Sequence, residues 1–398
     1  MKHEVTIDGN PLNMAGRELH IAIAGTPVDI AASDALVEVV NVGNPIPPTG
    51  PTLYVSTAGN DANDGSTESK ALRLIQTAVD RAVAGVTVVV MPGAYVGAVV
   101  ATSGIKLSAR EGCTVIAPSP KNIYLSHGIS VLDAHDVVIE GFSCSGLPLA
   151  GIGAYRSNRL TIRNNICHGN DVWGIFTSFC ADVLIEDNTC INSRDQHGIY
   201  CSNSADRPVV RRNLCRGNGR AGIQLNGDVS SEDGPSPDGI ISDAVIENNT
   251  CIANVIGINL DGVQNAIIKN NTLRENLAGI TLFKGDGGGP SKNNVVENNW
   301  IDVTDFGGDQ NRACIQLDET ATNNTIKKNV FRRLNKWGYG AFEVREQSIV
   351  GLVSDGNVFI GSVAFSMASD SASPVIMDLA QWRTFSKQDS NSVFISGV

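Results

Sequence analysis

The segment SRDQHGIYCSNS, residues 193–204, brings Asp195, His197 and Tyr200 within six residues of one another. A neutral imidazole can take a proton near pH 7 and a phenol can return one, so this spacing favours proton transfer. β-Elimination at a uronic acid needs such a pair, plus a cation or amide that neutralises the sugar carboxylate. The alternative is that these are hydrogen-bonded structural side chains. Because His197 and Tyr200 are expected outside the core, their replacement is expected to abolish turnover and spare stability.

Other residues could supply the same chemistry or a different one. Lys284 is a rival base if its pKa is depressed, although its place at the start of a loop is more typical of a solvated lysine. Hydrolysis needs two facing carboxylates, which Asp228, Asp261 and Asp318 could provide from neighbouring repeats. The predicted catalytic residues are His197, Tyr200, Asp195, Arg220 and Lys284.

A repeated phrase shows which elements must position these residues. A phrase close to IENNTC recurs between Asn165 and Asn357, at intervals of 22–36 residues aligned on its last Asn. Each Asn amide is expected to bond the backbone of the neighbouring coil. A small or apolar residue follows two positions later, and packing rather than metal binding explains the thiols there. This second column contains Cys144, Cys167, Cys190, Cys215, Cys251, Leu273, Ile301, Phe331 and Phe359.

A third column, mostly Gly-Ile, opens a short alternating strand in each repeat, from Gly151-Ile152 to Gly279-Ile280. A unit of this size cannot bury its apolar face alone, so the units must stack as parallel strands. The sequence therefore predicts an all-β fold, a single-stranded right-handed parallel β-helix with a short N-terminal capping helix and an appended N-terminal β segment. The predicted divisions are residues 1–50 for that segment and its Pro-rich linker, and 51–392 for the β-helix. Within these, 51–100 is the N-terminal cap, with a helix over 70–84, and about 366–398 is the C-terminal cap.

Alternation sends one set of side chains out of these strands, and aromatic rings, amides and carboxylates recur in it. Such a face suits an extended glycan, because sugar rings stack on aromatic rings and bond to amides. Insertions at 227–240, 284–294 and 304–312 are expected beside this face, or are neutral surface loops. The predicted substrate-binding residues are Tyr155, Trp173, Phe176, Arg207, Gln224, Asn226, Asn259, Asp261, Phe283, Gln316, Asp318 and Arg345.

Charge is distributed unevenly along the chain. A net charge of −11 argues against nucleic acid or an anionic membrane as a partner. Residues 194–220 are locally basic, whereas 226–262 contain seven carboxylates and no Lys or Arg. The basic segment could hold a uronate and the acidic segment a divalent cation, or the two segments could simply form charge pairs across coils. The one cofactor expectation is Ca²⁺ near Asp228, Asp233 or Asp261, although no EF-hand or RTX-type spacing is present.

Two stretches resemble a known family. Residues 54–95, YVSTAGNDANDGSTESKALRLIQTAVDRAVAGVTVVVMPGAY, look like the N-terminal stretch of secreted right-handed β-helix proteins, which include pectate and alginate lyases. LAQWRTFSKQDSNS, residues 379–392, is similar to their closing stretch. DQHGIY with the following Arg207 resembles the DPH-type motif of mannuronan epimerases, with Gln196 in place of Pro and the tyrosine on the other side of the histidine.

The resemblance implies a lyase or epimerase that acts on an acidic polysaccharide. Two rival functions remain, a glycoside hydrolase and a non-catalytic glycan-binding or phage tailspike-type solenoid. The expected partner is a polysaccharide or oligosaccharide, and the expected assembly is a monomer or a homotrimer. The first residues, MKHEVTIDGN, lack a signal-peptide pattern, so an extracellular or virion-associated location is expected from the resemblance alone.

Overall fold

A computed structural model describes most of the chain from residue 50 onwards. Among residues 1–49 it describes the backbone of four strands, paired as the hairpins Thr6–Ile7 with Asn10–Pro11 and Leu19–Ile23 with Thr26–Ile30. Residues 1–41 and 42–398 form two separate compact units. The described ranges beyond residue 49 are 50–121, 126–229, 237–303, 313–318, 320–333, 340–361, 365–369 and 372–396.

The second unit is a solenoid in which each coil contributes one short strand to each of three sheets. Every sheet has twelve strands, and consecutive coils pair in parallel except at the last strand of the third sheet. We number the sheets in the order in which a coil visits them. Sheet 1 consists of Thr52–Val55, Thr87–Val90, Lys106–Ala109, Val138–Glu140, Thr161–Arg163, Leu184–Glu186, Val209–Arg211, Val245–Glu247, Ile267–Lys269, Val295–Glu297, Thr325–Lys327 and Val353–Asp355.

Sheet 2 carries the predicted cysteine column on its inner face. Cys144, Cys167, Cys190, Cys215 and Cys251 pair in direct register, and all five are fully buried. Their packing role in the core is therefore confirmed. Sheet 2 consists of Gly93–Val96, Cys113–Ala117, Ser143–Ser145, Ile166–His168, Thr189–Ile191, Leu214–Arg216, Thr250–Ile252, Thr272–Asn276, Trp300–Val303, Val330–Arg333, Val358–Gly361 and Val393–Ile395.

Sheet 3 contains the strands that the Gly-Ile column opens. Its isoleucines from Ile129 to Ile315 stack in register inside the solenoid, as predicted. Sheet 3 consists of Ala98–Val100, Ile129–Leu132, Ala150–Tyr155, Trp173–Ser178, Ile199–Ser202, Ala221–Asn226, Ile256–Asp261, Ala278–Phe283, Ile315–Leu317, Phe342–Arg345, Phe365–Ser369 and the antiparallel Ala372–Met377.

Asparagine ladders hold the turns of successive coils at a fixed spacing. Between sheets 1 and 2, the Asn188 Oδ1 accepts from both the backbone N–H and the side-chain Nδ2 of Asn165, each at 3.0 Å. The Asn165 Nδ2 also donates to the Ile139 carbonyl at 3.1 Å. This arrangement satisfies buried backbone groups that a turn would otherwise leave unpaired. A second ladder, between sheets 2 and 3, was not predicted and contains Asn170, Asn218, Asn254 and Asn276.

Short helices close both ends of the solenoid. The N-terminal helix is Ile75–Arg81, preceded by a 3-10 turn at Glu68–Lys70, so it is shorter than the predicted 70–84. The C-terminal helix, Leu379–Ser386, buries Trp382 with its ring 5.0 Å from that of Phe365. A 3-10 turn at Glu346–Ile349 and a two-stranded sheet of Ile241–Ser242 and Val263–Gln264 complete the elements. In the part of the chain described, no helix is both long and apolar enough to span a membrane.

Candidate active site

The outer face of sheet 3 presents two columns of side chains, each in direct register from coil to coil. This arrangement agrees with the predicted alternation. Column A contains Phe176, Tyr200, Gln224, Asn259, Thr281, Gln316 and Glu343. Column B contains Tyr155, Ser178, Ser202, Asn226, Asp261 and Phe283.

His197 lies in the turn before Ile199 and is 8% exposed, so it is more buried than the sequence suggested. Its Nδ1 accepts the backbone N–H of Ala221 at 3.1 Å. A neutral imidazole that accepts at Nδ1 must carry its proton on Nε2. Burial, followed by the charge of Arg220, lowers the pKa of His197 to about 3. The geometry therefore favours a neutral hydrogen-bond donor over the general base that the sequence predicted.

His127 occupies the same position three coils earlier and was not predicted. Its Nδ1 accepts the N–H of Ala150 at 3.0 Å, and its Nε2 lies 3.3 Å from the Tyr155 hydroxyl oxygen. Its ring covers Gly153, where a Cβ would lie 2.4 Å from the imidazole, so only glycine fits there. Both nitrogens of His127 are thus satisfied, whereas no described residue accepts from Nε2 of His197. The two histidines share one backbone contact and differ at Nε2, which has a hydrogen-bond partner among the described residues only in His127.

Tyr200 is 9% exposed, and its ring meets that of His197 edge-on at 5.1 Å between centroids. The phenol oxygen accepts hydrogen bonds from Ser202 Oγ at 3.0 Å and Asn226 Nδ2 at 3.4 Å. Burial is the main cause that raises the pKa of Tyr200 to about 12, and the charges of Asp228 and Asp286 add to it. The phenol is therefore protonated at pH 7 and can donate its proton.

Arg220 is exposed beside His197, and no described carboxylate forms an ion pair with it. Its backbone N–H donates to the Gln196 carbonyl at 2.8 Å, which ties it to the turn that carries His197. Asp195 is exposed in that same turn. Arg220 thus supplies a positive charge that acts on the imidazole of His197.

Four other arginines of this segment are used in cross-coil pairs. Arg207, predicted to bind substrate, pairs with Asp182 through its Nε at 2.6 Å. The pairing partners belong to the preceding coil and not to the acidic segment 226–262 that follows. The local positive charge is therefore largely neutralised within the solenoid wall. The pairs are Arg194–Asp171, Arg207–Asp182, Arg211–Glu186, Arg212–Glu186 and Arg212–Asp187.

The aromatic side chains of the face pack against one another. Trp173 stacks on Phe176 with centroids 4.3 Å apart, and Phe176 meets Tyr155 at 5.4 Å and Tyr200 at 5.3 Å. Tyr155 and Phe176 are buried, so the predicted open stacking surface is corrected here: the rings cover one another. Trp173 is half-buried and its Nε1 donates to Gln196 Oε1 at 3.0 Å. It is the least buried ring of the cluster.

Polar side chains continue the face beyond Tyr200. Asn259 donates to Gln224 and accepts from Thr281, so these three residues of column A form a hydrogen-bonded row. Gln316 Nε2 donates to Asp318 Oδ2 at 3.4 Å, and Asp318 pairs with Arg345 at 2.6 Å. The predicted row of amides is therefore present, with its members bonded to one another.

Asp261, a predicted metal ligand and hydrolytic carboxylate, is instead an anchor for the inserted loop after Phe283. Its two carboxylate oxygens accept the backbone N–H groups of Gly285, Asp286 and Gly287 at 2.7, 2.8 and 3.2 Å. This correction follows from burial, because a buried carboxylate must find donors. Burial raises the pKa of Asp261, and these bonds partly offset it.

The described parts of the insertions 227–240 and 284–294 are joined to each other. Val229 N–H donates to the Asp286 carbonyl at 3.0 Å, and Gly288 N–H donates to the Gly239 carbonyl at 2.8 Å. They follow the C-terminal ends of the sheet 3 strands Ala221–Asn226 and Ala278–Phe283, and the charges of Asp228 and Asp286 act on the Tyr200 phenol. The predicted position of these two insertions beside the face is therefore supported by the contacts, whereas 304–312 lie outside the described residues.

No metal-binding cluster of three His, Cys, Asp or Glu side chains occurs among the described residues. Asp233 lies outside them, so the Ca²⁺ expectation stays a prediction. Lys284 is exposed at the start of its loop, and Phe283 is half-buried. The residues that the structure brings together are thus His197, Tyr200 and Arg220, with Trp173 on one side and the amides of columns A and B on the other.

Family profiles match most of this solenoid. The family described as "Right handed beta helix region" matches residues 103–231, and "Periplasmic copper-binding protein (NosD)" matches residues 236–391. The chain is a right-handed parallel β-helix protein. An alignment over 208 residues, which covers 45% of the chain, is 26% identical to the uncharacterized protein YwoF of Bacillus subtilis (strain 168). The match covers 44% of that protein, less than half of its length.

Solved structures with the same fold have different activities. The mannuronan C-5 epimerase AlgE6 A-module of Azotobacter vinelandii is 14% identical, with a TM-score of 0.52 over 78% of this chain and 90% of that chain. The GH136 lacto-N-biosidase of Eubacterium ramulus is 12% identical, with a TM-score of 0.54 over 87% and 67%. PfbA, a surface adhesin of Streptococcus pneumoniae, is 12% identical, with a TM-score of 0.50 over 73% and 87%. At such identities the likeness shows the fold alone.

The copper named by the second profile does not fit the residues in the matched segment. Copper sites use imidazole, thiolate or thioether ligands. Residues 236–391 contain no histidine, and Cys251 and Cys314 are buried in the solenoid core. Met367 and Met377 are buried in the C-terminal hairpin. No reaction step is therefore assigned to copper.

Proposed function

We propose that this protein binds an acidic, uronate-containing polysaccharide along the outer face of sheet 3 and cleaves or epimerises it by proton abstraction and β-elimination. The supporting observation is the pair formed by His197 and Arg220. The buried imidazole carries an Nε2–H for which no described residue is the acceptor, and the exposed guanidinium beside it has no described carboxylate partner. Two such donors suit a sugar carboxylate.

The proposed chemistry assigns one role to each group. Arg220 and the Nε2–H of His197 neutralise the carboxylate, which makes the neighbouring C5 proton more acidic. Asp228 or Asp286, the carboxylates whose charges act on Tyr200, takes that proton. The C5–H electrons form the C4–C5 double bond, the C4–O bond breaks, and Tyr200 gives its proton to the leaving oxygen. In epimerisation, Tyr200 instead protonates C5 from the opposite face.

The test is incubation with alginate, pectate, glucuronan and neutral glycans while the ultraviolet absorbance of unsaturated uronates is recorded. We expect absorbance to rise with one of the uronates, or C5 configuration to change by NMR, and Arg220→Gln to abolish both. Arg216→Gln is the matched control, because Arg216 is an exposed arginine of the preceding sheet 2 strand. Equal activity of the two variants would refute the carboxylate role.

A second candidate function is hydrolysis. The charges of Asp228 and Asp286 both act on Tyr200, and two carboxylates that flank one sugar linkage could act as acid and base. Of the carboxylates predicted for this role, Asp261 is bound to its loop and Asp318 to Arg345. New reducing ends without ultraviolet absorbance would favour hydrolysis, and glycan retention without turnover would favour a binding protein. A monomer or homotrimer outside the cell remains the prediction for assembly and location.

A further inference from the structure

The phenol of Tyr200 lies between two hydrogen-bond donors of column B. Ser202 follows Tyr200 by two residues, so both side chains leave the strand on the same face. Asn226 pairs with Ser202 across the coils, which brings its amide to the same phenol. The Ser202 Oγ donates to the phenol oxygen at 3.0 Å, and the Asn226 Nδ2 donates to it at 3.4 Å.

The protein fixes the direction of the Asn226 amide. Its Oδ1 accepts the backbone N–H of Asp228 at 2.9 Å, so its NH₂ group must face Tyr200 and act as a donor. A phenol oxygen has one proton and two lone pairs. When Ser202 and Asn226 occupy the lone pairs, the phenol proton cannot point at either of them and must point elsewhere.

We infer that Ser202 and Asn226 are positioning residues that direct the Tyr200 proton towards a ligand on the outer face of sheet 3 and stabilise the phenolate left after its transfer. For its chemical use the inference rests on the proposed function. In that step the Tyr200 O–H bond breaks, its proton passes to the leaving glycosidic oxygen, and its electron pair stays on the phenolate. The Ser202 O–H and the Asn226 N–H then bond to a full negative charge, and hydrogen bonds of this kind are the stronger ones.

Opposing influences act on the acidity of Tyr200. Burial and the charges of Asp228 and Asp286 raise the pKa of its phenol, whereas the hydrogen bonds from Ser202 and Asn226 lower it. Removing either donor should therefore raise the pKa further. A fluorinated tyrosine at position 200, whose ordinary pKa is several units lower than that of tyrosine, brings the titration into a range where the protein stays folded, and ¹⁹F NMR then reports on this phenol alone.

The experiment compares the fluorinated protein with its Ser202→Ala, Asn226→Ala and Ser178→Ala variants. We expect each of the first two to lower the acid dissociation constant of the phenol by roughly tenfold, about one pH unit. Ser178→Ala is the matched control, because Ser178 lies one coil earlier in column B and donates to Asn203 at 2.9 Å. It should leave the titration unchanged.

The outcomes separate this inference from the proposed function. A phenol pKa in both Ser202→Ala and Asn226→Ala that equals the Ser178→Ala value would overturn the positioning role, whatever the activity. A raised pKa without turnover on any uronate would support the positioning role and refute the proposed function. If turnover is found, the donor variants should lose kcat more than they change KM.

Discussion

Two replacements of His197 test the roles of its two nitrogens separately. His197→Ala removes the acceptor for the Ala221 N–H, which is a buried backbone group, and leaves it unpaired at a cost of about 1–3 kcal/mol. Lost contacts with the Tyr200 ring add to this cost. We therefore expect the variant to lose about 2–4 kcal/mol of unfolding free energy in a urea titration. This result would contradict the sequence-based expectation that the change spares stability.

His197→Asn isolates the other nitrogen. The Asn carbonyl oxygen can take the place of Nδ1 as the acceptor, but the variant has no group in the place of the Nε2–H. We expect its unfolding free energy to stay within about 1 kcal/mol of the unsubstituted protein. Its turnover of the uronate found in the screening assay should fall by roughly 10²-fold, the usual effect of removing one donor that stabilises developing charge.

His127→Asn is the matched control, because His127 makes the same backbone contact and uses its Nε2 on Tyr155. We expect His127→Asn to lower the unfolding free energy by as much as His197→Asn or more, and to leave turnover unchanged. Equal loss of turnover in the two asparagine variants would mean that the aromatic cluster acts as one structural unit. Full turnover in His197→Asn would refute the donor role of Nε2.

Four further outcomes follow from the contacts. Asn213→Ala should lower the unfolding free energy by about 2–4 kcal/mol in urea, because the Asn188 N–H and the Ile185 carbonyl lose their partner. Cys190→Ser should be less stable than Cys190→Ala, since a buried hydroxyl replaces a weakly polar thiol. Asp261→Asn should make the 284–290 loop sensitive to proteolysis, because one carbonyl oxygen cannot hold three N–H groups. Burial lowers the pKa of His127 and His197 to about 3, so between pH 6.5 and about 3 only the unfolded chain takes up their protons. As the pH falls through this range, the unfolding free energy should fall by roughly 1.4 kcal/mol per pH unit for each histidine. The double variant His127→Asn/His197→Asn should flatten this slope.

Periodic features of the chain could be predicted because each depends on one residue type at one place in the coil. The Asn column predicted the ladder between sheets 1 and 2, since an amide in a turn can bond only its own or a neighbouring coil. The cysteine column predicted an interior stack because one small residue type recurs at one position of the coil. The second ladder had a comparable signal, because an Asn follows Cys167, Cys215 and Cys251 by three residues, and the interpretation overlooked it.

The burial of the outward face could not be predicted from alternation alone. Alternation states which way a side chain leaves the strand and does not state what lies above it. Tyr155 and Phe176 leave sheet 3 outwards, yet neighbouring rings cover them. Asp261 also leaves outwards, but the loop that begins 23 residues later returns over it. Contacts between coils that are separated by insertions have no fixed sequence spacing, and so no periodic signal.

The same short sequence motif has different roles at its two positions in the chain, as the tautomer of His197 shows. His-Gly-Ile occurs at 127–129 and again at 197–199, and in both places the imidazole accepts the backbone N–H of the next coil. The first His therefore serves the fold, and its Nε2 is taken up by Tyr155. The second keeps the same backbone bond, but among the described residues its Nε2–H has no acceptor and the neighbouring Arg220 has no ion-pair partner. The chemical difference between the two sites comes from the residues in adjacent coils, so the catalytic interpretation of DQHGIY depends on Arg220 as much as on the motif.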